Sequence, residues 1–332
     1  MTLVFPVPPI TTSSAHGLTL LFAFCYVGSL YISKNARLSF AEKQTAAYNG
    51  KPRPKYSDER WRDDPDVIRA RLVAVSIATS ICCGIVFLLL RHFVGDRPDG
   101  FEMALDTTIA RLGFRIYFDS DMIFPHLVTP VLFLGPLYAG YLGGHLPLQR
   151  NWSFKTDVIS KFISWQGVRN YLMAPITEEL VFRACVLAVY HMSGASTRRM
   201  IFLGPLSFGL AHVHHAWDTF NRYGGTAAAA KRAIIMSLFQ LAYTALFGFH
   251  CSYLFLRTGS IFPSISAHIF CNIMGVPEIA WHLKVYPQRR KAILFMYVLG
   301  VVGFAYVLEP WTRTGGVLYW RDQKPGAGIG SY

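Results

Sequence analysis

The sequence predicts an all-α fold, a polytopic integral membrane helical bundle of about eight transmembrane helices. Hydrophobic residues make up 52% of the 332 residues and charged residues only 15%, whereas a soluble domain carries about 25% charged residues. The apolar residues also gather into runs long enough to cross a bilayer, which needs about 20 residues per helix. Residues 72–90, an uncharged run, are the clearest case. An ordinary water-soluble enzyme is therefore excluded.

Eight apolar segments are predicted to span the membrane within a single domain, 1–332. The first and fifth segments are short, so each is expected to be tilted or to cross only in part. Proline and glycine interrupt the third segment, which a membrane bundle tolerates because neighbouring helices satisfy the freed backbone groups. In chain order the segments are 17–33, 72–90, 123–144, 172–192, 200–216, 233–256, 261–282 and 292–309.

The charge balance predicts lipid contact and an orientation. The net charge is +13, but no motif of a nucleic-acid module appears, so nucleic acid is not an expected partner. Loops on one side carry 21 Lys and Arg residues and those on the other side carry 10. The positive-inside rule then places both termini outside or in the lumen and loop 34–71 in the cytosol. The charge run SDERWRDDPD in that loop is either a cytosolic contact surface or a solvated surface, and the solvated surface is favoured because charge runs are usually solvated.

The fourth segment carries three charged residues at membrane depth, where each is costly and usually functional. Glu179 and Arg183 are four residues apart, so they share a helix face and are expected to pair. Glu178 lies about 100° around the helix from Glu179. In a low-dielectric site away from such a cation, a carboxylate is a stronger base, as general-base catalysis near neutral pH requires. A purely structural polar network is the alternative, above all for Glu179 with Arg183.

Three histidines close the fifth segment within residues 208–215. His212 and His215 are three residues apart and can share a face. The pattern is not H-E-x-x-H, so a metal is not expected. His212 lies deeper than the other two and follows Gly209, whose missing side chain suits close helix packing. A functional role is therefore favoured for His212.

The seventh segment places His268 and Asn272 four residues apart, so both side chains point to one side of a helix. Each can donate a hydrogen bond without carrying a charge, as an oxyanion hole requires. A helix–helix hydrogen bond is the structural alternative, because His and Asn often join membrane helices.

The predicted topology brings these three sites to a similar depth, toward the cytosolic side. Glu178 and His212 can hold and deprotonate a water molecule. His268 and Asn272 can stabilise the oxyanion that forms after the attack. The set therefore favours hydrolysis of an acyl bond without a covalent intermediate, and no G-x-S-x-G motif for a serine nucleophile is present.

The three motifs together resemble the CPBP (CAAX protease and bacteriocin-processing, or ABI) membrane proteases. The similarity is greatest to the eukaryotic Ras-converting CAAX endopeptidases, and it covers a core of about 172–277. The motif residues are Glu178, Glu179 and Arg183, then Phe208 and His212, then His268 and Asn272. The flanking stretches that carry the similarity are APITEELVFRACV, FGLAHVHH, YTALFGFH and LRTGSIFPSISAHIFCNIMGVP.

The resemblance implies removal of the last three residues from farnesylated or geranylgeranylated C-a-a-X proteins, such as Ras-like GTPases and pheromone precursors. It implies an endoplasmic reticulum membrane enzyme with its active site toward the cytosol. Glu178 and His212 would activate water, and His268 and Asn272 would form the oxyanion hole. Glu179, Arg183 and Phe208 would support them. No cofactor and no metal are implied.

Three other function classes stay open at this point. One is a pseudoenzyme or scaffold, against which the intact motifs argue. A proton-coupled transporter would use Glu178, Glu179 and His212 as a relay, but the inverted repeats that such a protein commonly has are not visible. A zinc-dependent membrane hydrolase would hold the metal on His212, His215 and Glu178. Sensitivity to a chelator separates the zinc enzyme from the glutamate-dependent one.

Overall fold

The computed structural model describes residues 3–41, 50–115, 122–314 and 318–320. Over these ranges the regular elements are helical, apart from one isolated bridge between Ser39 and Arg60, which confirms the all-α prediction. In chain order the helices are α1 Thr12–Ile32, α2 Pro65–Val94, α3 Gly100–Arg111, α4 Phe124–Leu132, α5 Leu134–Gly143, α6 (Phe154–Ile159 with Ser160–Ile163), α7 (the run 165–192), α8 Thr197–Ala211, α9 His215–Arg222, α10 Ala227–Thr258, α11 Phe262–Met274, α12 Ile279–Val285 and α13 Arg290–Leu308.

The described residues fall into two compact units. Those of 1–112 and 177–253 form the first unit, and those of 113–176 and 254–322 form the second. In the first unit, α1 packs against α2 and against the 177–192 part of α7. The side chains that fill this core are apolar and fully buried: Phe22, Val86, Leu90, Phe182, Leu187 and Met192.

Local sequence explains where the long helices of the first unit begin and end. The Thr11 hydroxyl accepts a hydrogen bond from the Ser14 amide at 3.1 Å and so caps α1. Pro65 opens α2, where its missing N–H costs nothing. Gly95 ends α2 with φ +70°, a conformation that glycine adopts without strain.

In the second unit, the third predicted segment is not one helix. It breaks at Phe133 into α4 and α5, because Pro136 has no N–H to donate to the Leu132 carbonyl. Helix α13 packs against both halves. A Cβ on Gly300 would lie 2.9 Å from the Leu132 carbonyl oxygen, so only glycine allows the α13 backbone to approach this break. The prediction of a continuous helix over 123–144 is wrong.

The seventh predicted segment, 261–282, is also divided. Helix α11 ends at Met274, Gly275 follows with φ +67°, and α12 begins at Ile279. Pro277 lies between the two helices and cannot continue α11. The fifth segment ends early as well, because α8 stops at Ala211 and a turn leads into α9.

Four helices among the described residues are long and apolar enough to cross a membrane. They are Thr12–Ile32, Pro65–Val94, Ala227–Thr258 and Pro287–Leu308. On α10, large apolar side chains such as Leu238, Phe239 and Leu246 are more than half exposed, as a surface that faces lipid requires. The chain is therefore a helical membrane protein, and the count of eight spans stays a prediction.

Candidate active site

The two adjacent glutamates of α7 have different surroundings. Glu179 and Arg183 form the ion pair expected from their spacing, with Oε2 and Nε 3.1 Å apart and both side chains fully buried. The Arg183 guanidinium also lies over the Phe208 ring, 4.2 Å from its centroid. Glu178 is only half-buried. The structure therefore encloses one carboxylate in an ion pair and leaves its neighbour accessible.

The helix that carries these glutamates is irregular on both sides of them. The α-helical turn Ala174–Glu179 lies between two π-helical segments, Val168–Met173 and Leu180–Cys185. π-Helical turns within α-helices are rare and are frequent at functional sites, because they turn side chains out of the regular register. The backbone geometry of this turn of α7 is therefore typical of a functional site, independently of its charged residues.

His212 lies in the turn that follows α8. Its Nδ1 is 2.9 Å from the Phe208 carbonyl oxygen, which can only accept a hydrogen bond, so Nδ1 carries the proton. In a neutral imidazole, Nε2 then has the free lone pair that a base needs. The Phe208 ring packs edge-on against His212 with centroids 4.6 Å apart. Gly209 permits close packing as expected, because a Cβ there would lie 2.6 Å from Leu241 Cδ1.

His215 packs against the rings of both other histidines of this turn. The rings of His212 and His215 are 5.7 Å apart, and those of His214 and His215 are 4.0 Å apart. His214 Nδ1 donates to the Ala211 carbonyl at 2.7 Å. Within the described ranges, no three His, Cys, Asp or Glu side chains are grouped as a metal site requires.

The second unit holds His268 and Asn272, both on α11. His268 is buried, with 7% of its surface exposed, whereas Asn272 is exposed. The Asn272 Nδ2 donates to the carbonyl oxygen of Asn170 at 2.8 Å. The structural alternative for Asn272, a helix–helix hydrogen bond, is therefore present, and it uses one of the two hydrogens of the amide.

Two charged residues in the described part of loop 34–71 are buried, although others in it are exposed. Arg53 and Glu59 form an ion pair at 2.6 Å, with side chains 4% and 1% exposed. Arg53 also reaches across to α9, where its Nε donates to the Asn221 carbonyl at 3.0 Å and its backbone amide donates to the Arg222 carbonyl at 2.9 Å. Within the charge run 57–66, Asp58 and Asp66 are exposed, as a solvated surface requires, whereas Glu59 is buried in its ion pair with Arg53.

Two further ion pairs and a ring complete this contact, which we call the loop–α9 cluster (Arg53, Glu59, Trp61, Asp63, Asp218 and Arg222). Arg222 bonds to Asp218 at 2.9 Å and to Asp63 at 3.0 Å. Its guanidinium lies over the Trp61 ring, 5.0 Å from the centroid. Since α9 directly follows the turn with His212, the loop–α9 cluster holds the chain next to that turn.

The loop–α9 cluster predicts a pH dependence of stability. Burial alone would raise the pKa of Glu59, but hydrogen bonds from Arg53, the amides of Ala41 and Tyr56, and Trp61 outweigh it and lower the pKa to about 2. Because the folded-state pKa lies below the usual value, the stabilisation is complete above about pH 4.5 and is lost as the pH falls toward 2.

We expect Glu59→Gln to lower the free energy of unfolding by about 3 kcal/mol at pH 7, the equivalent of that pKa shift. The difference between variant and wild type should shrink as the pH falls from about 4.5 to 2. Thermal unfolding midpoints of both proteins in detergent, measured across this range, test the expectation. A difference that is constant with pH would contradict it.

Sequence reasoning missed three contacts around the predicted residues: Tyr26 with Thr177, Asn170 with Asn272, and Arg53 with α9. The first had a usable signal. A tyrosine in an apolar segment needs a hydrogen-bond partner for its hydroxyl, and the Tyr26 hydroxyl finds Thr177 at 2.9 Å. The second has none, because the partner is a backbone carbonyl.

Comparison with known proteins gives one consistent family. Residues 160–274 match the model of the type II CAAX prenyl endopeptidase Rce1-like family. The chain is 31% identical over 288 residues to the probable CAAX prenyl protease 2 of Schizosaccharomyces pombe, covering 86% of this chain and 90% of that protein. It is 33% identical over 302 residues to the human CAAX prenyl protease 2, covering 88% and 79%. No solved structure matches significantly.

Proposed function

The chain belongs to the CAAX prenyl protease 2 family of type II CAAX prenyl endopeptidases, and from this premise we propose that it removes the C-terminal tripeptide of prenylated C-a-a-X proteins by glutamate-activated attack of water. As a member of this family, the chain is a membrane-embedded hydrolase. Its substrates are farnesylated or geranylgeranylated proteins, such as Ras-like GTPases and pheromone precursors. It works in the endoplasmic reticulum membrane with its active site toward the cytosol, where prenylated C-termini reach the bilayer.

The observation that carries the assignment of the base is the contrast between the two glutamates. Glu179 is fully buried and paired with Arg183, so its negative charge is balanced within the fold. Glu178 is half-buried and can reach a water molecule. Glu178 therefore acts as the general base, and Glu179 with Arg183 and Phe208 fixes the helix that carries it.

His212 acts with Glu178 on the water. The hydrogen bond from its Nδ1 to the Phe208 carbonyl orients the ring and leaves Nε2 as the acceptor. As the water oxygen attacks the carbonyl carbon of the prenylated cysteine, its proton passes to this pair. When the C–N bond breaks, the proton passes to the leaving amine. The products are a prenylcysteine carboxylate and a free tripeptide.

His268 and Asn272 stabilise the tetrahedral oxyanion. Both are neutral donors four residues apart on α11, and one Asn272 hydrogen is held by the Asn170 carbonyl, which fixes the amide and leaves the second hydrogen for the oxyanion. Donors held in place before the reaction stabilise developing charge better than mobile ones. The presence of all three motifs in order along the chain supports joining these residues to Glu178 and His212 in one reaction.

The direct test is release of the tripeptide from a farnesylated C-a-a-X peptide by the purified full-length protein in detergent. The same peptide without the prenyl group is the matched control and should be cut far more slowly. Cleavage should persist when a zinc chelator is present. Loss of cleavage in chelator with recovery on added zinc would move the chemistry to a metal on His212, His215 and Glu178. No cleavage by well-folded protein would overturn the proposal.

A further inference from the structure

The first helix reaches the turn that carries the proposed base. Tyr26 of α1 is 7% exposed and Thr177 of α7 is 3% exposed. Their hydroxyl oxygens are 2.9 Å apart, although 151 residues separate them in sequence. Thr177 directly precedes Glu178 in the chain. A buried hydrogen bond thus joins α1 to the residue next to the base.

A series of ring contacts connects the same tyrosine to His212. The Tyr26 ring packs edge-on against Phe182, with centroids 5.5 Å apart. The Phe182 ring packs against Phe208 at 5.3 Å, and Phe208 packs edge-on against His212 at 4.6 Å. The two edge-on contacts favour particular angles between their rings, and the contact of Phe182 with Phe208 is tilted. One side chain therefore touches a neighbour of Glu178 through its hydroxyl and begins a row of rings that ends at His212.

We propose that Tyr26 is a positioning residue that holds Glu178 and His212 in their working arrangement. This inference rests on the proposed function, because it assumes that these two residues activate the water. Tyr26 acts through Thr177 and Phe182 and is not a catalytic residue. It belongs to α1, outside the part of the chain that matches the family model, residues 160–274, so the motifs alone do not point to it.

Removing only the Tyr26 hydroxyl isolates the contribution of its hydrogen bond to the rate of cleavage. In Tyr26→Phe the ring and its contact with Phe182 remain, while the buried Thr177 hydroxyl loses this hydrogen bond. We expect kcat for tripeptide release to fall by about tenfold to a hundredfold with KM nearly unchanged, since a small displacement of a catalytic group has effects of this size. A merely structural role would lower the thermal unfolding midpoint without lowering kcat per folded enzyme.

The chain offers a matched control on the same two helices. Tyr190 of α7 is also 7% exposed, its hydroxyl is 2.8 Å from His16 Nδ1 of α1, and its ring packs edge-on against His16 at 5.5 Å. Tyr190→Phe therefore removes an interhelical hydrogen bond of similar length, to the exposed His16, at a position away from Glu178. We expect both variants to lose some thermal stability and only Tyr26→Phe to lose kcat. An equal loss of kcat in both would overturn the inference.

Two substitutions at the other end of the bond keep the test valid if Tyr26→Phe folds poorly. Thr177→Val should reproduce the loss of kcat, and Thr177→Ser, which keeps the hydroxyl, should retain activity. The double variant Tyr26→Phe/Thr177→Val should be no slower than the slower single variant, because one bond is lost in each case. Normal kcat in Thr177→Val would also overturn the inference.

Glu178→Gln, assayed beside these variants, separates the two proposals. If Glu178→Gln is inactive and Tyr26→Phe is as fast as wild type, the base is right and the positioning role is wrong. If Glu178→Gln cleaves normally, the proposed base itself is wrong, whatever Tyr26→Phe does.

Discussion

Glu178→Gln will lower kcat/KM for tripeptide release by about 10²–10⁴-fold and leave the thermal unfolding midpoint nearly unchanged. The substitution keeps the size and the hydrogen-bonding shape of the side chain but removes its ability to take a proton, and a positioned general base contributes an effect of this size. Because Glu178 is half-buried, loss of its charge should cost the fold little. Steady-state cleavage of a farnesylated peptide and thermal unfolding in detergent measure the two quantities.

The neighbouring glutamate supplies the control. Glu179→Gln makes the same chemical change one residue along, but there it removes the anion that pairs with buried Arg183. We expect this variant to lose stability first and activity only as a consequence. If the two variants exchanged these effects, with Glu179→Gln inactive but stable, Glu179 would be the base and the assignment would be reversed.

Arg183→Met should lower the free energy of unfolding by about 3–5 kcal/mol. It removes the cation beside a fully buried carboxylate, and breaking a buried ion pair from one side has a cost of this size because a charge is left in a low-dielectric site. Methionine fills much of the volume over the Phe208 ring, so the loss reports mainly on charge. Unfolding in detergent, followed by tryptophan fluorescence, measures it.

The double variant Arg183→Met/Glu179→Gln removes both charges and tests this explanation. It should be more stable than Arg183→Met alone, because no uncompensated charge of the pair remains. A double variant that is less stable than both single variants would instead attribute the loss to packing around Phe208.

The sequence predicted the helical membrane fold and the ion pair because both depend on local pattern. Apolar runs marked α1, α2, α10 and α13, which are long enough to span a bilayer. The four-residue spacing of Glu179 and Arg183 was enough to pair them. Helix breaks were harder to predict, because a Pro or Gly in a membrane segment either is accommodated or ends the helix. Pro136 and Gly275 end helices here.

Contacts between residues that are far apart in the chain could not be predicted from the sequence. Nothing in loop 34–71 indicates that Arg53 would find backbone carbonyls at 221 and 222, or that its ion pair with Glu59 would be buried. The position of Tyr26 in an apolar segment indicates that its hydroxyl needs a hydrogen-bond partner, but it does not indicate which residue that partner is. Only the packing of α1 on α7 places its hydroxyl beside Thr177.

The loop–α9 cluster also constrains the order of events during synthesis. The carbonyl that accepts the hydrogen bond from Arg53 is synthesised 168 residues later. At translation rates of about 5–20 residues per second, this delay is on the order of ten to thirty seconds. Through that interval the nascent loop cannot complete its contacts, and a chain that stops before Asp218 never completes them. Closure of the cluster is therefore a late step in biogenesis, which follows synthesis of the turn with His212.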